Sequence, residues 1–200
     1  MDQITKQSHV FIFMGRSGSG KGTQIELLQT YLKEKGQTNQ QLFVCGDAFR
    51  NFFKSGSYLS SFVKESVNDG NYQPDFLATT LFFTEIFKTI NATDHLFFDG
   101  YPRSLKQLTE LKELLTYVGH THATVVVIDV EATEVVKRMV LRGRPDDTEG
   151  AAEKRQAEFT REVIPVLDAI KQDSFFTYKE VDGMPAPQDV HKNVLEALAL

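Results

Sequence analysis

The 200-residue sequence has a single cysteine, Cys45, and no tryptophan. One cysteine excludes a disulfide framework within the chain and a zinc site built from clustered cysteines. Long hydrophobic runs are lacking as well, because the longest apolar run near the start covers only residues 10–14. A run of this length is too short for a signal peptide or a membrane span. We therefore expect a cytoplasmic protein that binds neither zinc nor a membrane.

Basic residues are fewer than acidic ones: 22 Lys and Arg stand against 27 Asp and Glu, a formal net charge of −5. This balance argues against a protein that coats nucleic acid, whose footprint is an excess of basic residues. A hydrophobic content of 41% over 200 residues is sufficient for a domain with a packed core. We expect one monomeric domain over 1–200. Small anionic ligands remain compatible with the acidic total because they respond to local charge.

Short apolar runs alternate with longer stretches of helical periodicity. Strands are predicted over 9–14, 42–44, 95–98, 123–129 and 174–178, and helices over 23–35, 46–54, 58–68, 75–90, 104–118, 131–141, 147–172 and 188–200. Pro165 is expected to kink or divide the long helix 147–172. Apolar strands separated by helices are typical of a parallel sheet covered on both faces, a three-layer α/β fold with five strands. The helices between 46 and 90 follow one another without a strand and are expected to form an excursion from the sheet.

A glycine-rich segment lies between the first predicted strand and the helix after it. It reads Gly15, Arg16, Ser17, Gly18, Ser19, Gly20, Lys21, Gly22 and Thr23. Glycines let backbone N–H groups surround phosphate oxygens, and the following helix adds the positive end of its dipole. Lys21 supplies a charged hydrogen bond to the β- and γ-phosphates, although Gly22 stands where a strict Walker A loop has Ser or Thr. The alternative, a plain connecting loop with a surface lysine, explains fewer of these features together.

Four motifs in the same order resemble nucleoside monophosphate kinases, and the adenylate kinase family above all. The first is the phosphate loop with glycine after the lysine, and the others are Gly-Asp-Ala-Phe-Arg over 46–50, Asp-Gly-Tyr-Pro-Arg over 99–103 and Arg-Gly-Arg-Pro-Asp-Asp over 142–147. The resemblance runs from about residue 10 to the C-terminus. It implies the P-loop NTPase fold, NMP-binding helices within 45–74, and a very short lid over 142–147.

The resemblance also implies which residues bind the two substrates. The ATP site comprises the nine loop residues, Gly15, Arg16, Ser17, Gly18, Ser19, Gly20, Lys21, Gly22 and Thr23, together with Arg138 and Arg142. The AMP site comprises Cys45, Gly46, Arg50, Tyr72, Gln73, Gly100, Arg103, Gln107, Arg144 and Arg155. The implied catalytic residues are Lys21, Arg103, Arg138, Arg144 and Arg155. An arginine guanidinium suits this work because its planar fork is always charged and grips phosphate oxygens in pairs. Arg161 matches no motif and is expected to be a solvated helix residue.

Asp99 ends a predicted buried strand, where a carboxylate can reach the water shell of Mg²⁺ bound with ATP. An Asx turn into Gly100 is the competing interpretation, and both can hold at once. Thr23 is a second candidate for the metal. Asp146 and Asp147 are expected to orient the lid arginines. Asp146 with Glu149 also matches a helix capping box.

Gln107 follows the signature Arg103 by four residues, where the resemblance implies a glutamine that reads the acceptor base. Its amide offers one donor and one acceptor, which complement the N1 and N6 edge of adenine. Cys45 replaces a usual threonine, and Tyr72 and Gln73 replace more apolar residues, so this pocket departs from the family pattern. We expect ATP and AMP as substrates. A UMP/CMP kinase and a nucleotide-binding regulator without turnover are the alternatives.

Overall fold

The computed structural model describes residues 8–91, 94–144 and 147–200. Its strands are β1 (Val10–Met14), β2 (Gln40–Val44), β3 (His95–Asp99), β4 (Ala123–Asp129) and β5 (Phe176–Asp182). Its helices are α1 (Lys21–Glu34), α2 (Cys45–Phe53), α3 (Tyr58–Asn68), α4 (Asp75–Thr89), α5 (Leu105–Tyr117), α6 (Ala132–Arg142), α7 (Glu149–Glu158), α8 (Ile164–Gln172) and α9 (Pro187–Leu198). A π-helical turn, Phe159–Val163, joins α7 to α8. In these ranges no helix has the length and apolar character needed to cross a membrane.

The five strands form one parallel sheet in the order β2-β3-β1-β4-β5. The predicted fold class is therefore confirmed. The chain leaves β1 toward the β2 side of the sheet, and after β3 it crosses to β4 on the opposite side. The direction of winding thus reverses between the neighbouring strands β1 and β3. In open α/β sheets a crevice forms at this point, beyond the carboxyl ends of the strands.

Alternate residues of each central strand pack into two separate hydrophobic layers. On one face, Ile12 and Phe98 join side chains of α2, α4, α5 and α8. On the other face, Phe13 and Phe97 join α1, α6 and α9. The period of two along a strand explains this division, because successive side chains point to opposite faces. Both faces are covered, which is why these strands read as continuous apolar runs.

The long helix predicted over 147–172 is interrupted. Thr148 caps α7: its hydroxyl accepts a hydrogen bond from the N–H of Ala151. Asp146 itself lies outside the described residues. The interruption is the π turn, in which the N–H of Ile164 bonds to the carbonyl of Phe159, five residues earlier. Pro165 explains its position, because a proline has no N–H to continue the regular ladder.

The last strand begins later and runs further than predicted, over Phe176–Asp182 rather than 174–178. Asp173 causes the late start: its side chain accepts from the N–H of Phe175 and its carbonyl accepts from Phe176, so these residues form a turn. All seven residues of β5 pair with β4. Polar residues such as Lys179 and Glu180 are tolerated there because β5 is an edge strand and only partly buried.

Candidate active site

The glycine-rich loop follows the end of β1 and leads into α1. Gly15, Gly18 and Gly20 all have positive φ, at 136°, 90° and 95°. A side chain at Gly15 would lie 2.4 Å from the carbonyl oxygen of Ile128, and one at Gly18 would lie 2.8 Å from atoms of α6. No atom lies within 4 Å of the Cβ position of Gly20 or Gly22. The loop is therefore packed tightly against β4 and α6 on one side and open on the other, as a cradle for phosphate requires.

Lys21 folds back over this loop. Its Nζ donates to the carbonyl oxygens of Gly15, at 3.0 Å, and Arg16, at 2.9 Å. Burial at the floor of the cleft, with Arg103 and Arg142 nearby, lowers the pKa of Lys21 to about 8, against the opposing effect of Asp99. An anion in the loop would offer this ammonium group a charged partner in place of two neutral carbonyls.

Arg103, just before α5, is held in place by Gly100 and Tyr72. Its Nε donates to the carbonyl oxygen of Gly100 at 2.8 Å, and its guanidinium lies 4.7 Å from the centre of the Tyr72 ring. A side chain at Gly100 would come within 3.0 Å of the Arg103 Nη2, so glycine permits this approach. Gly46 stands in the same relation to Arg50, whose guanidinium would be 3.1 Å from an added Cβ. Glycine in each motif thus makes room for the arginine of that motif.

Gln107 lies in a buried polar network at the start of α5. Its Oε1 accepts from the backbone N–H of Arg103 at 2.8 Å, and its Nε2 donates to Asp75 Oδ1 at 2.9 Å. Asp75 Oδ1 also accepts from the hydroxyl of Ser104 at 2.8 Å. Only 3% of Gln107 is exposed, and the helix N-cap Ser104 fixes its backbone. The amide therefore has a defined orientation.

A buried carboxylate, Asp147, gathers the basic groups of the lid region. It binds Arg142 through two hydrogen bonds of 2.8 Å and Arg155 at 3.4 Å, and it accepts from the N–H of Arg144 at 3.3 Å. Its side chain is fully buried. Burial alone would raise the pKa of Asp147, but the bonds to Arg142 and the nearby charge of Arg155 bring it below its usual value. Asp147 thus orients the side chains of Arg142 and Arg155 and the backbone of Arg144.

Arg138 of α6 is anchored on the opposite wall. Its Nε donates to Glu134 at 2.9 Å, and its Nη1 donates to the carbonyl oxygen of Gly183 at 3.0 Å. A side chain at Gly183 would collide at 2.6 Å with Ile128 and Val130. The loop after β5 therefore sits close on β4, and its carbonyl groups hold Arg138 at the edge of the cleft.

These elements enclose two adjoining cavities. The first, of about 430 Å³, contains predicted site residues Gly15, Ser17, Gly18, Gly20, Lys21, Gly22, Thr23, Gly46, Arg50, Tyr72, Asp99, Gly100, Arg103, Arg138, Arg142 and Arg144 in its walls. The second, of about 830 Å³, contains Ser17, Cys45, Gly46, Arg50, Tyr72, Gln73, Arg103, Gln107, Arg142, Arg144 and Arg155. The structure thus brings both predicted sets together. Four arginines, Arg50, Arg103, Arg142 and Arg144, line both cavities and mark the boundary between them.

Two predicted residues do not line these cavities with the others. The guanidinium of Arg16 lies 4.8 Å from the Phe159 ring and donates to the carbonyl of Gln156. Ser19 is buried within the loop, and its hydroxyl has no hydrogen-bond partner among the described residues. Gln73 does line the second cavity, but its amide nitrogen is turned toward Ser66.

Several wall residues were not predicted from the sequence. Asp75 and Ser104 position Gln107, and the only sequence signal for them is a polar residue at the start of each helix. Arg161 lines the outer part of the second cavity. Its side chain is 66% exposed and paired with Glu158 and Glu162, which agrees with a solvated helix residue. Arg161 lies within the π turn, which the sequence pattern alone does not reveal.

Asp99 and Thr23 line the first cavity together. A carboxylate and a hydroxyl are hard oxygen donors of the kind that Mg²⁺ prefers, and this metal commonly keeps its waters and is shared with substrate phosphates. Within the described part of the chain, no three His, Cys, Asp or Glu residues form a cluster able to hold a metal. The residues present therefore fit a metal carried in with a nucleotide and contacted from one side.

Comparison with known proteins agrees with this geometry. The family model described as adenylate kinase matches residues 13–175. The adenylate kinase of Nocardioides sp. is 30% identical over 191 residues, which cover 94% of this chain and 95% of the relative. The adenylate kinase of Clavibacter michiganensis is 33% identical, with 94% and 92% covered, and that of Thermus thermophilus is 30% identical, with 94% and 96% covered. The chain belongs to the adenylate kinase family.

Proposed function

We propose that this chain is an enzyme that transfers the γ-phosphoryl group of ATP to AMP and so forms two ADP. The observation that carries this function is the pair of adjoining cavities with four shared arginines at their boundary. A phosphoryl group in transfer carries negative charge on its oxygens, and positioning with charge neutralisation accounts for most of the catalysis. A boundary lined by guanidinium groups meets both needs.

ATP binds in the first cavity, with its phosphates in the loop over 15–23. Lys21 exchanges its two carbonyl partners for phosphate oxygens, and the N-terminus of α1 adds its dipole. The aliphatic part of Arg138 borders the base and ribose. The side chains of Arg16 and Ser19 contribute to the shape of the loop rather than to the wall of this cavity, since Arg16 contacts Phe159 and Ser19 is buried.

AMP binds in the second cavity, with its phosphate toward the shared arginines. Arg50 and Arg103 hold that phosphate, Gln107 reads the base, and Cys45, Tyr72 and Gln73 shape the pocket. Arg144 and Arg155 neutralise the transferring group together with Arg142. The separation of the two cavities by these groups supports direct transfer from one nucleotide to the other, without a covalent enzyme intermediate.

Asp99 and Thr23 are the residues that would hold Mg²⁺, Asp99 through water. When bound, the metal neutralises charge on the β- and γ-phosphates of ATP. Asp99 ends β3 beside the end of β1, where the phosphate loop begins, and it lines the first cavity together with that loop, which supports this assignment.

Water must be kept from the reacting phosphoryl group, because ATP would otherwise be hydrolysed. The lid over 142–147 is too short to cover the cleft as a separate domain. Asp147 draws Arg142 and Arg155 together, and we propose that these arginines, once attracted to the phosphates, form most of the cover. One domain over 1–200, with the NMP-binding helices of 45–74 and this lid as subregions, carries both sites.

The function is tested by incubating the protein with Mg²⁺ and ATP and each of AMP, CMP, UMP and GMP, with ADP formation as the measurement. Turnover with AMP well above the others is the expected result. A preference for CMP or UMP would instead make the chain a pyrimidine nucleotide kinase. Binding of ATP without turnover on any acceptor would identify a regulator.

A monomeric state and a cytoplasmic location, expected from the sequence, also remain proposals. Light scattering of the purified chain measures its mass against the 22.6 kDa of one copy. Fractionation of cells that express the protein tests where it resides.

A further inference from the structure

The buried network around Gln107 contains groups whose hydrogen-bonding roles cannot be exchanged. The backbone N–H of Arg103 is only a donor, and it faces Gln107 Oε1 at 2.8 Å. The Asp75 carboxylate is only an acceptor, and it faces Gln107 Nε2 at 2.9 Å. A reversed amide would place N–H against N–H and oxygen against carboxylate. Both contacts would then be repulsive in a buried setting, so one orientation of Gln107 is strongly favoured.

Ser104 strengthens this arrangement because it gives Asp75 Oδ1 a second hydrogen-bond donor beside Gln107 Nε2. Its hydroxyl hydrogen goes to Asp75 at 2.8 Å, while its oxygen accepts from the backbone N–H of Gln107 at 3.2 Å. Asp75 stands in the first turn of α4 and Ser104 caps α5. Residues at the starts of α4 and α5, which are distant in the sequence, therefore fix the orientation of one amide.

We infer that Asp75 is a positioning residue that sets the choice of acceptor base by locking the Gln107 amide. This inference rests on the proposed function, in which Gln107 reads that base. The locked amide keeps one Oε1 lone pair and one Nε2 hydrogen for a ligand. A 6-aminopurine offers a donor at N6 and an acceptor at N1, which match these groups. A 6-oxopurine offers an acceptor at O6 and a donor at N1, so it requires the opposite orientation.

Loss of Asp75 removes one of the two contacts that orient the amide and leaves only the N–H of Arg103 against rotation. A 6-oxopurine therefore becomes less disfavoured, while a 6-aminopurine loses a prepared partner. The ratio of affinities for AMP and IMP reports this directly. A site that must leave buried hydrogen-bonding groups unpaired rejects a mismatched ligand strongly. For this reason we expect Asp75→Ala to lower the AMP-to-IMP affinity ratio by about tenfold or more.

The experiment measures the dissociation constants of AMP and IMP by calorimetry, and then turnover with ATP. Asp75→Ser is included because serine is favoured at a helix start and its short hydroxyl falls short of Gln107. Both Asp75→Ala and Asp75→Ser should lower the ratio mainly through weaker AMP binding, with the KM for ATP unchanged. Asp75→Asn should keep the ratio within about threefold of the wild type, because its amide oxygen can still accept both hydrogen bonds. Asp189→Ala is the matched control, since Asp189 is an exposed carboxylate in the first turn of α9.

Two results would overturn the inference. The first is an equal loss of AMP and IMP affinity in Asp75→Ala and Asp75→Ser, which would show that Asp75 only supports the fold. The second is a fall of the ratio in Asp75→Asn as large as in Asp75→Ala, which would make charge rather than orientation the cause. Failure of the proposed function is distinguishable from both. It would appear as absent AMP turnover in the wild type, whereas the AMP-to-IMP affinity ratios test the positioning role of Asp75 without any turnover.

Discussion

Lys21 gives the cleft a proton-dependent affinity for ATP. Its pKa of about 8 in the free protein means that a growing share of Lys21 is neutral as pH rises above 8. Phosphate oxygens favour the charged form, so ATP binding raises this pKa and takes up a proton. We predict that ATP affinity falls as pH increases from about 7.5 to 9.5, by at most about tenfold for each pH unit.

Dissociation constants measured across this range check the prediction. Lys21→Arg is the control, because a guanidinium stays charged throughout. It should bind ATP more weakly and show a flat pH profile. A flat profile for the wild type would mean that Lys21 keeps its proton in the free protein.

Arg103 has separate tasks for separate parts of its side chain. Its Nε holds the Gly100 carbonyl while its plane lies over Tyr72, which leaves the outer nitrogens for a phosphate. Lysine has a single nitrogen and cannot do all three. We predict that Arg103→Lys lowers kcat/KM for AMP by about 100-fold, because misplacement of a reacting group has a cost of this size. Steady-state kinetics measure this, with the exposed Lys88→Ala as control. A loss below about threefold would contradict the assigned role.

At the scale of elements, the end of α3 is in close contact with α7. Gly70 has a φ of +82°, and a side chain there would lie 2.6 Å from the carbonyl oxygen of Ala151. Arg155 adds a hydrogen bond across this contact, to the carbonyl of Val67 at 3.1 Å. The end of α3 therefore rests directly on α7.

We predict that Gly70→Ala reduces the free energy of unfolding by about 2 kcal/mol or more, because strain and a backbone collision add together. Gly56→Ala is the matched control, since Gly56 also has positive φ but no atom within 4 Å of its Cβ position. It should cost about 1 kcal/mol from strain alone. Urea denaturation of both variants measures the difference. Equal losses of the free energy of unfolding would show that the contact between α3 and α7 adjusts to an added side chain at little cost.

Asp147 joins the end of α6 to α7 through its arginine partners. Removal of its carboxylate would abolish two hydrogen bonds to Arg142 and one to Arg155 at a buried site, a change that typically costs about 3 kcal/mol. We predict a lower melting temperature for Asp147→Ala. In the wild type this stabilisation is present at neutral pH and is lost as pH falls through the lowered pKa of Asp147. Thermal unfolding between about pH 3 and 7 checks both statements, with Asp168→Ala, an exposed carboxylate, as control. An unchanged melting temperature would contradict the prediction.

For the whole molecule, the position of charge matters more than its sum. The net charge is −5, yet Arg50, Arg103, Arg138, Arg142 and Arg144 all line the first cavity with Lys21. These basic groups outnumber the two carboxylates of the same wall, Glu26 and Asp99. A cleft with such an excess of one sign of charge concentrates ions of the opposite sign, and salt screens this attraction. We predict that the KM values for ATP and AMP rise severalfold between about 50 mM and 500 mM KCl. Kinetics at both salt concentrations measure this, with the melting temperature as control for the fold. Constant KM values would contradict charge focusing.

The sequence alone determined the features that depend on neighbouring residues. Glycines and Lys21 after an apolar run specify a phosphate loop, and alternation of apolar strands with helices specifies a parallel sheet. Five strands in a three-layer fold followed from these patterns, and the family was indicated by the resemblance of four motifs in the same order. Helices 58–68 and 104–118 were also predicted to within a residue, because their caps and periodicity are local signals.

Only the tertiary structure decided how distant groups meet. The reversal of winding between β1 and β3 joins the phosphate loop to Asp99, and the π turn at Phe159–Val163 divides the helix beside both cavities. Asp75 reaches Gln107 across 32 positions, so no local pattern could indicate which way that amide points. Local preferences are set by sterics and hydrogen bonds within a few residues. The direction of a buried side chain is set instead by whatever the packed chain brings against it.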